Sequence, residues 1–243
     1  MQVNEGIHRL TQGVTNFYLI SESGKYTVVD AGTPGDWAYF ASSLAGLGAK
    51  LADVDAVLLT HAHPDHTGFA ERARTEAGAQ VWIHRADEQA ARTGKTGKRD
   101  GKITSYLFRA AFYRTSLSLL RRGGGRMIPI VEVSTFGDGE RIDVPGRPRA
   151  VHAPGHTPGS AALLFESNGT LVTGDVLATE NALTGRIGPQ IMPDGLNEDG
   201  AQALASLDAL LGIDADLILP GHGDPWTEGV AEAVRRAKAA GRS

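Results

Sequence analysis

Cysteine is absent from the 243-residue chain, and its absence excludes several kinds of chemistry. Without a thiol there is no disulfide, no thiolate metal ligand and no cysteine nucleophile. A metal ion bound by this chain would have to be held by histidine and carboxylate side chains. The search for a site therefore starts with the histidines and aspartates.

Long apolar runs are also missing. The first ten residues, MQVNEGIHRL, lack the apolar stretch of a signal peptide. No later stretch approaches the roughly 20 apolar residues that cross a bilayer. Hydrophobic residues nevertheless make up 41% of the chain, which is enough to build a core. We therefore expect a cytoplasmic protein that does not contact a membrane.

Positive charge is concentrated in one segment. The chain has a net charge of −4, but ten basic residues and one acidic residue lie between Arg92 and Arg126, which leaves −13 on the remainder. This pattern indicates a basic insertion at about 93–126 in an acidic body, or simply a solvated surface segment. Its first part, 93–102, is rich in glycine and lysine and predicts an exposed loop. Residues Ile103–Arg122 predict a helix with apolar residues around most of its circumference, ended by Gly123–Gly125.

The rest of the chain alternates between strand and helix patterns. Helices are predicted at Gly35–Leu47, Thr67–Ala77 and Ala201–Leu211. Strands are predicted at Val3–Leu10, Asn16–Ile20, Tyr26–Asp30, Asp55–Thr60, Val81–His84, Val131–Thr135, Ala150–Ala153, Ala161–Glu166, Thr170–Thr173 and Ala215–Leu219. This order predicts one α/β domain over residues 1–243, in which helices cover β-sheets.

The strongest functional signal is His-Ala-His-Pro-Asp-His at residues 61–66, directly after an apolar run. Side chains alternate along extended backbone, so His61 and His63 point to the same side. A turn at Pro64 lets Asp65 and His66 face a second point nearby. Imidazole and carboxylate groups suit zinc and similar divalent ions. A polar turn without a metal is the alternative, and four ligand types within six residues argue against it.

Three later segments repeat the arrangement of a polar ligand after an apolar run and beside glycine. They are Pro-Gly-His-Thr-Pro-Gly at 154–159, Thr-Gly-Asp at 173–175 and Pro-Gly-His-Gly at 220–223. Glycine lets the backbone turn sharply and approach a ligand closely. His156, Asp175 and His222 thus complete a candidate donor set. The remaining histidines, His8, His84 and His152, are expected to have ordinary structural positions.

Taken in order, HxHxDH, PGHTPG, GD and PGHG resemble the metallo-beta-lactamase superfamily, and the resemblance runs from Asp30 to Gly223. It implies an αββα sandwich with two divalent metal ions at one edge, Zn²⁺ first and Fe or Mn as alternatives. The ligands it implies are His61, His63 and His156 for one ion, Asp65, His66 and His222 for the other, and Asp175 as a bridge. Asp30 would support the ligand loop from behind, or would be a helix-capping or turn aspartate.

The resemblance also implies a reaction. A metal-bridging hydroxide would attack a carbonyl, and Asp65 would orient the water or carry its proton. An aspartate in the GD motif resembles glyoxalase II, a thioesterase, and related lactonases. Beta-lactamases of the superfamily typically have cysteine or another residue there, and they are exported. The lactonases have a tyrosine where this chain has Ala178, and 21 residues after His222 show no glutathione-binding extension. We expect a thioesterase first, then a lactonase or a beta-lactamase-like amidase.

Two other classes stay open. A persulfide dioxygenase resembles this motif set but uses one iron ion bound by two histidines and one aspartate. The second class is a binding or regulatory protein that retains the fold, and the complete donor set argues against it.

The basic insertion has two interpretations. As a lid it would cover a small-molecule substrate with an apolar acyl part, and Arg109 or Arg114 would bind an anionic group of that substrate. The acyl pocket would then be lined by Leu107, Phe108, Phe112 and Leu117. Alternatively, the helix packs against a second copy in a homodimer. Nucleic-acid binding is not expected, since no aromatic-basic stacking pattern accompanies the charge.

Overall fold

A computed structural model describes residues 1–243 and contains thirteen strands and six α-helices. The strands are β1 (Gln2–Asn4), β2 (Ile7–Gln12), β3 (Thr15–Glu22), β4 (Lys25–Val29), β5 (Val54–Leu59), β6 (Gln80–His84), β7 (Ser134–Phe136), β8 (Arg149–His152), β9 (Ala161–Phe165), β10 (Thr170–Gly174), β11 (Ala178–Glu180), β12 (Ile187–Gln190) and β13 (Leu217–Pro220). The helices are α1 (Trp37–Gly46), α2 (Ala70–Ala77), α3 (Glu88–Thr93), α4 (Ala110–Arg121), α5 (Gly200–Ser206) and α6 (Val230–Ala240).

The larger sheet has seven strands in the order of the chain, β1 to β7. Strands β1 to β4 pair antiparallel, and β4 to β7 pair parallel. The prediction of one strand over Val3–Leu10 is wrong. The chain turns back between β1 and β2 at Gly6, whose φ of +68° suits glycine and disfavours other residues.

The smaller sheet has four strands in the order β13-β10-β9-β8. Strands β8, β9 and β10 form an antiparallel meander. Strand β13, almost 50 residues later in the chain, joins β10 in parallel. Strands β11 and β12 form a separate hairpin.

Three apolar cores separate the layers. The core between the two sheets contains Tyr18, Leu58 and Phe136 from the larger sheet and Leu163 and Phe165 from the smaller one. Alternate residues of the same strands face outward, where α1, α2 and α3 cover the larger sheet. Helices α5 and α6 cover the smaller sheet in the same way. The α/β fold class and the αββα sandwich are therefore confirmed. No helix has the length and apolar character needed to cross a membrane.

The insertion is less regular than predicted. A 3-10 turn at Ile103–Tyr106 is separated from α4 by Arg109, whose backbone is extended, so a single helix over Ile103–Arg122 is wrong. The two parts have different anchors. The Tyr106 hydroxyl donates a hydrogen bond to the Ser243 carbonyl (2.7 Å), whereas the Thr115 hydroxyl in α4 donates one to the Ala182 carbonyl (2.6 Å).

Candidate metal centre

The predicted ligands and Asp30 lie in loops at one edge of the sandwich, most of them directly after the carboxyl end of a strand. Asp30 follows β4, and the 61–66 segment follows its parallel neighbour β5. Asp175 follows β10, and His222 follows its parallel neighbour β13. Neighbouring parallel strands end at the same edge of a sheet, so each pair brings its loops together. The turn between β8 and β9 adds His156 from the other side.

Gly221 permits the closest approach between these loops. A Cβ atom at this position would lie 2.3 Å from Asp175 Oδ1 and 2.7 Å from His66 Cε1. Both distances are shorter than van der Waals contact, so a larger residue would displace two of the predicted donors. Glycine at 221 is therefore required by the site rather than by a turn.

Three buried imidazole nitrogens converge on one point. His61 Nε2 lies 3.1 Å from His63 Nδ1, and His156 Nε2 lies 2.8 Å from His63 Nδ1 and 3.2 Å from His61 Nε2. Three neutral rings cannot satisfy three such contacts by hydrogen bonding alone. Ligands about 2.0–2.1 Å from a tetrahedral zinc ion lie about 3.3 Å apart, which is close to this spacing. The three nitrogens fit one metal ion.

A second group of donors surrounds a neighbouring point. Asp65 Oδ2 lies 3.8 Å from His66 Nε2 and 3.5 Å from His222 Nε2. Asp175 lies between the two groups, with Oδ1 3.6 Å from His66 Nε2 and Oδ2 3.3 Å from His156 Nε2. His66 Nε2 and Asp175 Oδ1 are buried without a hydrogen-bond partner. Such orphaned atoms are unfavourable unless an ion occupies the space between them.

The outward-facing nitrogens of these rings are held by hydrogen bonds. His66 Nδ1 lies 2.8 Å from Asp30 Oδ2, and His222 Nδ1 lies 2.7 Å from the Val14 carbonyl. His156 Nδ1 lies 2.9 Å from the Asn197 side-chain carbonyl. Each contact puts the proton on Nδ1, which leaves a lone pair on the inward-facing Nε2. This tautomer is the one that a metal ion requires.

Asp30 contacts both β5 and the 61–66 segment. Besides binding His66, its carboxylate accepts hydrogen bonds from the Thr60 amide (2.8 Å) and the Thr60 hydroxyl. Its backbone has a φ of +60°, which is uncommon outside glycine and marks a position fixed by its surroundings. Asp30 therefore supports the predicted ligand His66 through a hydrogen bond and does not cap a helix.

The electrostatics of the cluster also suit cations. Burial lowers the pKa of His61 and of His63 well below the usual range, so both rings are neutral and free to act as ligands. Burial also opposes the charge on His66, yet the carboxylates of Asp175 and Asp30 raise its pKa to about 10. Without a metal, buried carboxylates therefore draw a proton onto His66. A divalent ion would supply the same positive charge.

Sequence reasoning missed Asp87, which connects two of the ligand loops. Its Oδ2 atom accepts hydrogen bonds from the Ala62 amide (2.8 Å) and the Thr157 hydroxyl (2.7 Å), and Oδ1 accepts one from the Gly159 amide (2.7 Å). Asn197, also missed, holds His156. Neither residue lies in a motif or beside another candidate ligand, so no local pattern could have revealed them.

A cavity of about 210 Å³ opens beside the cluster and is partly lined by the insertion. The predicted pocket residues are wrong. Leu107, Phe108, Phe112 and Leu117 are not in its wall, and Phe108 is 99% exposed. The insertion contributes Arg99, Ile103 and Leu119 instead. Arg99 and Ile103 come from the segment before α4, which backbone hydrogen bonds hold against Asp194 and Asn197, and Leu119 lies near the end of α4. Arg114, predicted to bind an anionic group of the substrate, instead forms an ion pair with Glu180 and does not line the cavity.

The alternative role of the insertion, a contact between two copies in a homodimer, stays a prediction.

The other three histidines lie apart from the donor cluster, as predicted. His84 and His152 stack against each other with ring centroids 3.9 Å apart. His152 Nε2 lies 2.9 Å from the Pro158 carbonyl. His8 is in β2.

The family model described as the metallo-beta-lactamase superfamily matches residues 10–222, which include every predicted donor. The chain belongs to the metallo-beta-lactamase superfamily. Similar proteins include YobT of Bacillus subtilis, 28% identical over 92% of this chain and 90% of YobT. The probable metallo-hydrolase YflN of the same organism is 26% identical over 92% of this chain and 86% of its own length.

Two further matches extend these findings. The hydroxyacylglutathione hydrolase of Anaeromyxobacter dehalogenans is 30% identical over 70% of this chain and 49% of its own length. Among solved structures, the metallo-beta-lactamase family protein TTHA1429 of Thermus thermophilus superposes with a TM-score of 0.72 at 26% identity, over 98% of this chain and 80% of that protein. The superfamily resemblance inferred from the motifs is therefore confirmed.

Proposed function

We propose that this chain is a hydrolase that uses two divalent metal ions, Zn²⁺ first, to cleave an ester-like bond, with a thioester as the first choice of substrate. The proposed ligands are His61, His63, Asp65, His66, His156, Asp175 and His222. The observation that carries the proposal is the convergence of three imidazole nitrogens within 2.8–3.2 Å of one another, beside the orphaned His66 Nε2 and Asp175 Oδ1. Two ions bound there would lower the pKa of water and polarise a carbonyl group.

The side chains around the cavity have separate tasks in this proposal. Asp65 is the more accessible carboxylate, with 16% of its side chain exposed against 3% for Asp175, and it lines the cavity. Its Oδ2 atom accepts a hydrogen bond from the Thr15 hydroxyl (3.0 Å), which fixes its orientation. Asp65 can therefore orient an attacking water molecule and accept its proton. No serine or cysteine nucleophile is required.

The thioester proposal is supported by the donor set and by one relative. An aspartate at position 175, together with five histidines, supplies oxygen and nitrogen ligands without a thiolate. The hydroxyacylglutathione hydrolase that matches 70% of this chain is named for a thioester substrate. That relative is about twice as long as the matched region, so its substrate comes to this chain only as a proposal.

The test is thiol release from a panel of acyl thioesters, including S-lactoylglutathione, by metal-loaded protein with a chelated control. Rapid release that the chelator abolishes would support the thioesterase. Its absence in a metal-replete sample would overturn that choice and favour lactones or amides.

The metal content of the purified protein decides between the proposed hydrolase and a persulfide dioxygenase. Two zinc-like ions per chain are expected. A single iron ion, with oxygen consumption in the presence of a persulfide, would instead support a dioxygenase.

A further inference from the structure

Arg99 is the only arginine or lysine in the wall of the cavity beside the proposed metal centre. We infer that Arg99 binds a carboxylate at the far end of a short apolar acyl group, so that the substrate is an anionic acyl ester or thioester. This inference rests on the proposed hydrolase function and deepens it by specifying the substrate class.

The guanidinium of Arg99 has no partner within the chain. It forms no ion pair and no hydrogen bond with another side chain, and it differs from the other unpaired arginines of the insertion, Arg109, Arg121 and Arg126, in lining the cavity. Other arginines of the region are paired. Arg92 pairs with Glu88, Arg114 with Glu180 and Arg122 with Asp36. A guanidinium group presents donors in a planar fork that matches both oxygens of a carboxylate. Arg99 is thus available for a ligand.

The backbone on both sides of Arg99 is fixed to residues 194–198, a segment that contributes Leu196 to the cavity wall. The Asp100 amide donates a hydrogen bond to the Asn197 carbonyl, and the Gly101 amide donates one to the Asp194 carbonyl, both at 2.8 Å. On the other side, the Gly97 amide donates to the Glu198 carboxylate (2.9 Å). Arg99 is therefore carried by a loop with a defined position. Asn197 of the same segment also accepts a hydrogen bond from His156 Nδ1.

Apart from Arg99 and the proposed ligands, the cavity wall is mainly apolar. It contains Ile103 and Leu119 from the insertion, and Leu183, Met192 and Leu196 from the smaller-sheet half of the chain. At about 30 Å³ for the volume of one water molecule, the cavity holds on the order of seven heavy atoms. This space suits a short acyl chain and is too small for a long fatty acyl chain.

The chemistry of the two ends fixes how such a substrate would bind. The scissile carbonyl must lie against the donor cluster, at the side of Asp65 and Asp175. The far end of the acyl group then reaches the side of the cavity that Arg99 occupies, with methylene groups against the apolar wall. A neutral acyl group would pack against the apolar wall and leave the Arg99 guanidinium without a carboxylate to bind.

A matched substrate pair tests the inference. Glutaryl and pentanoyl thioesters of the same thiol differ only by a carboxylate in place of the terminal methyl group. The wild-type protein is expected to have a higher kcat/KM for the glutaryl thioester, through a lower KM. In Arg99→Gln the ratio of the two kcat/KM values should fall by roughly tenfold or more, because a charge-assisted hydrogen bond is lost. Lys98→Gln removes a neighbouring charge that does not line the cavity, and it should leave the ratio unchanged.

Binding of free glutarate provides a second readout that does not depend on turnover. Titration calorimetry on chelated protein should detect glutarate binding by the wild type and by Lys98→Gln, and roughly tenfold weaker binding by Arg99→Gln. Equal glutarate affinity in all three proteins, or an unchanged substrate ratio in Arg99→Gln, would overturn the inference. If no thioester is hydrolysed but glutarate binds in an Arg99-dependent way, the thioesterase proposal fails and the carboxylate site stands.

Discussion

His61 and Asp175 contribute donors at the centre of the cluster, and neither has a neighbour that could replace it. We expect His61→Ala and Asp175→Ala to reduce turnover by at least a thousandfold, since each loses an inward-facing ligand atom. Both variants should stay folded, because neither side chain belongs to an apolar core of the sandwich. Thiol release, metal content and circular dichroism measure the three properties. Normal activity in either variant would contradict the site assignment.

Asp87 accepts hydrogen bonds from the two loops that carry His61, His63 and His156. In Asp87→Asn an amide NH₂ group would face an N–H or O–H donor, so the variant should lose about 1–3 kcal/mol of stability. Because the Ala62 amide lies between two proposed ligands and Thr157 follows a third, metal affinity should fall roughly 10- to 100-fold.

The measurement for Asp87 is competition with a chromogenic chelator, together with urea unfolding. Asp53→Asn is the matched control, since Asp53 also accepts a backbone hydrogen bond, from the Lys50 amide at 2.8 Å, but in an exposed turn. Equal metal affinity in the two variants would show that Asp87 has no role in positioning the ligands.

His84 gives the stability a pH dependence. Burial lowers its pKa to about 4, with the charges of His152 and Arg85 acting in the same direction. Its Nδ1 atom accepts a hydrogen bond from the Ala86 amide, so the neutral ring is the one that fits. The unfolded chain takes up a proton on this ring near pH 6.5, and the folded chain does so only near pH 4. Stability should therefore fall as the pH drops from about 6.5 toward 4.

Urea unfolding of His84→Gln tests this dependence. The variant should lose less stability than the wild type between pH 7 and pH 5. Chelated protein is used for both, so that loss of metal does not contribute and protonation of the proposed metal ligands is common to the two profiles. Identical pH profiles would contradict the prediction.

At the scale of elements, the insertion depends on a small ion-pair cluster. Arg242, just after α6, pairs with Asp100 at 2.6 Å and with Asp194 at 3.0 Å, and so joins the 97–101 loop to residues 194–198. Exposed ion pairs contribute little to global stability, about 1 kcal/mol or less. We therefore expect Arg242→Ala to unfold almost like the wild type but to be cut faster by trypsin at Lys95, Lys98 or Lys102.

Arg236→Ala is the control for Arg242→Ala. Arg236 lies in α6 and pairs with Glu228 and Glu232, away from the insertion. Its loss should not change the rate of cleavage in the 95–102 loop. Equal rates in the two variants would show that the Arg242 pairs do not restrain the insertion.

Elements whose residues are buried in a regular pattern could be predicted from the sequence, whereas elements positioned by contacts with distant segments could not. Buried strands such as β5 and β10 were found to within about one residue, because a run buried on both faces is apolar throughout. Helices α3 and α6 were missed, although α6 contributes Val230, Ala233 and Val234 to a core, because small residues such as alanine give a weak apolar pattern. The insertion helix was misplaced because its two parts bind different partners, and no local pattern contains that information.

The candidate ligands could be proposed from the sequence for a related reason. His61, His63, Asp65 and His66 are adjacent in the sequence, and their spacing alone indicates a metal site. Asp87, Asn197 and Arg99 act through contacts between segments that are far apart in the chain, so only the three-dimensional arrangement reveals them.

At the scale of the whole molecule, the proposed ions would connect the two halves of the sandwich. His61, His63, Asp65 and His66 follow the larger sheet, whereas His156, Asp175 and His222 belong to the smaller one. Ions that bind only this assembled arrangement stabilise the folded state by mass action, by about 2.7 kcal/mol at a free concentration 100 times the Kd. The unfolding midpoint should therefore rise with free Zn²⁺, and His61→Ala should remove most of this rise. An unfolding midpoint that does not change with the Zn²⁺ concentration would contradict the proposal that Zn²⁺ connects the two halves of the sandwich.

The parallel pairing of β13 with β10 also has a consequence during protein synthesis. Strand β13 and His222 come late in the chain, yet they complete a donor group whose other members, Asp65 and His66, are made much earlier. A nascent chain that has not yet reached His222 can gather the three-histidine group but not the second one. Binding of metal by the second donor group would thus have to wait until β13 has been synthesised and has paired with β10.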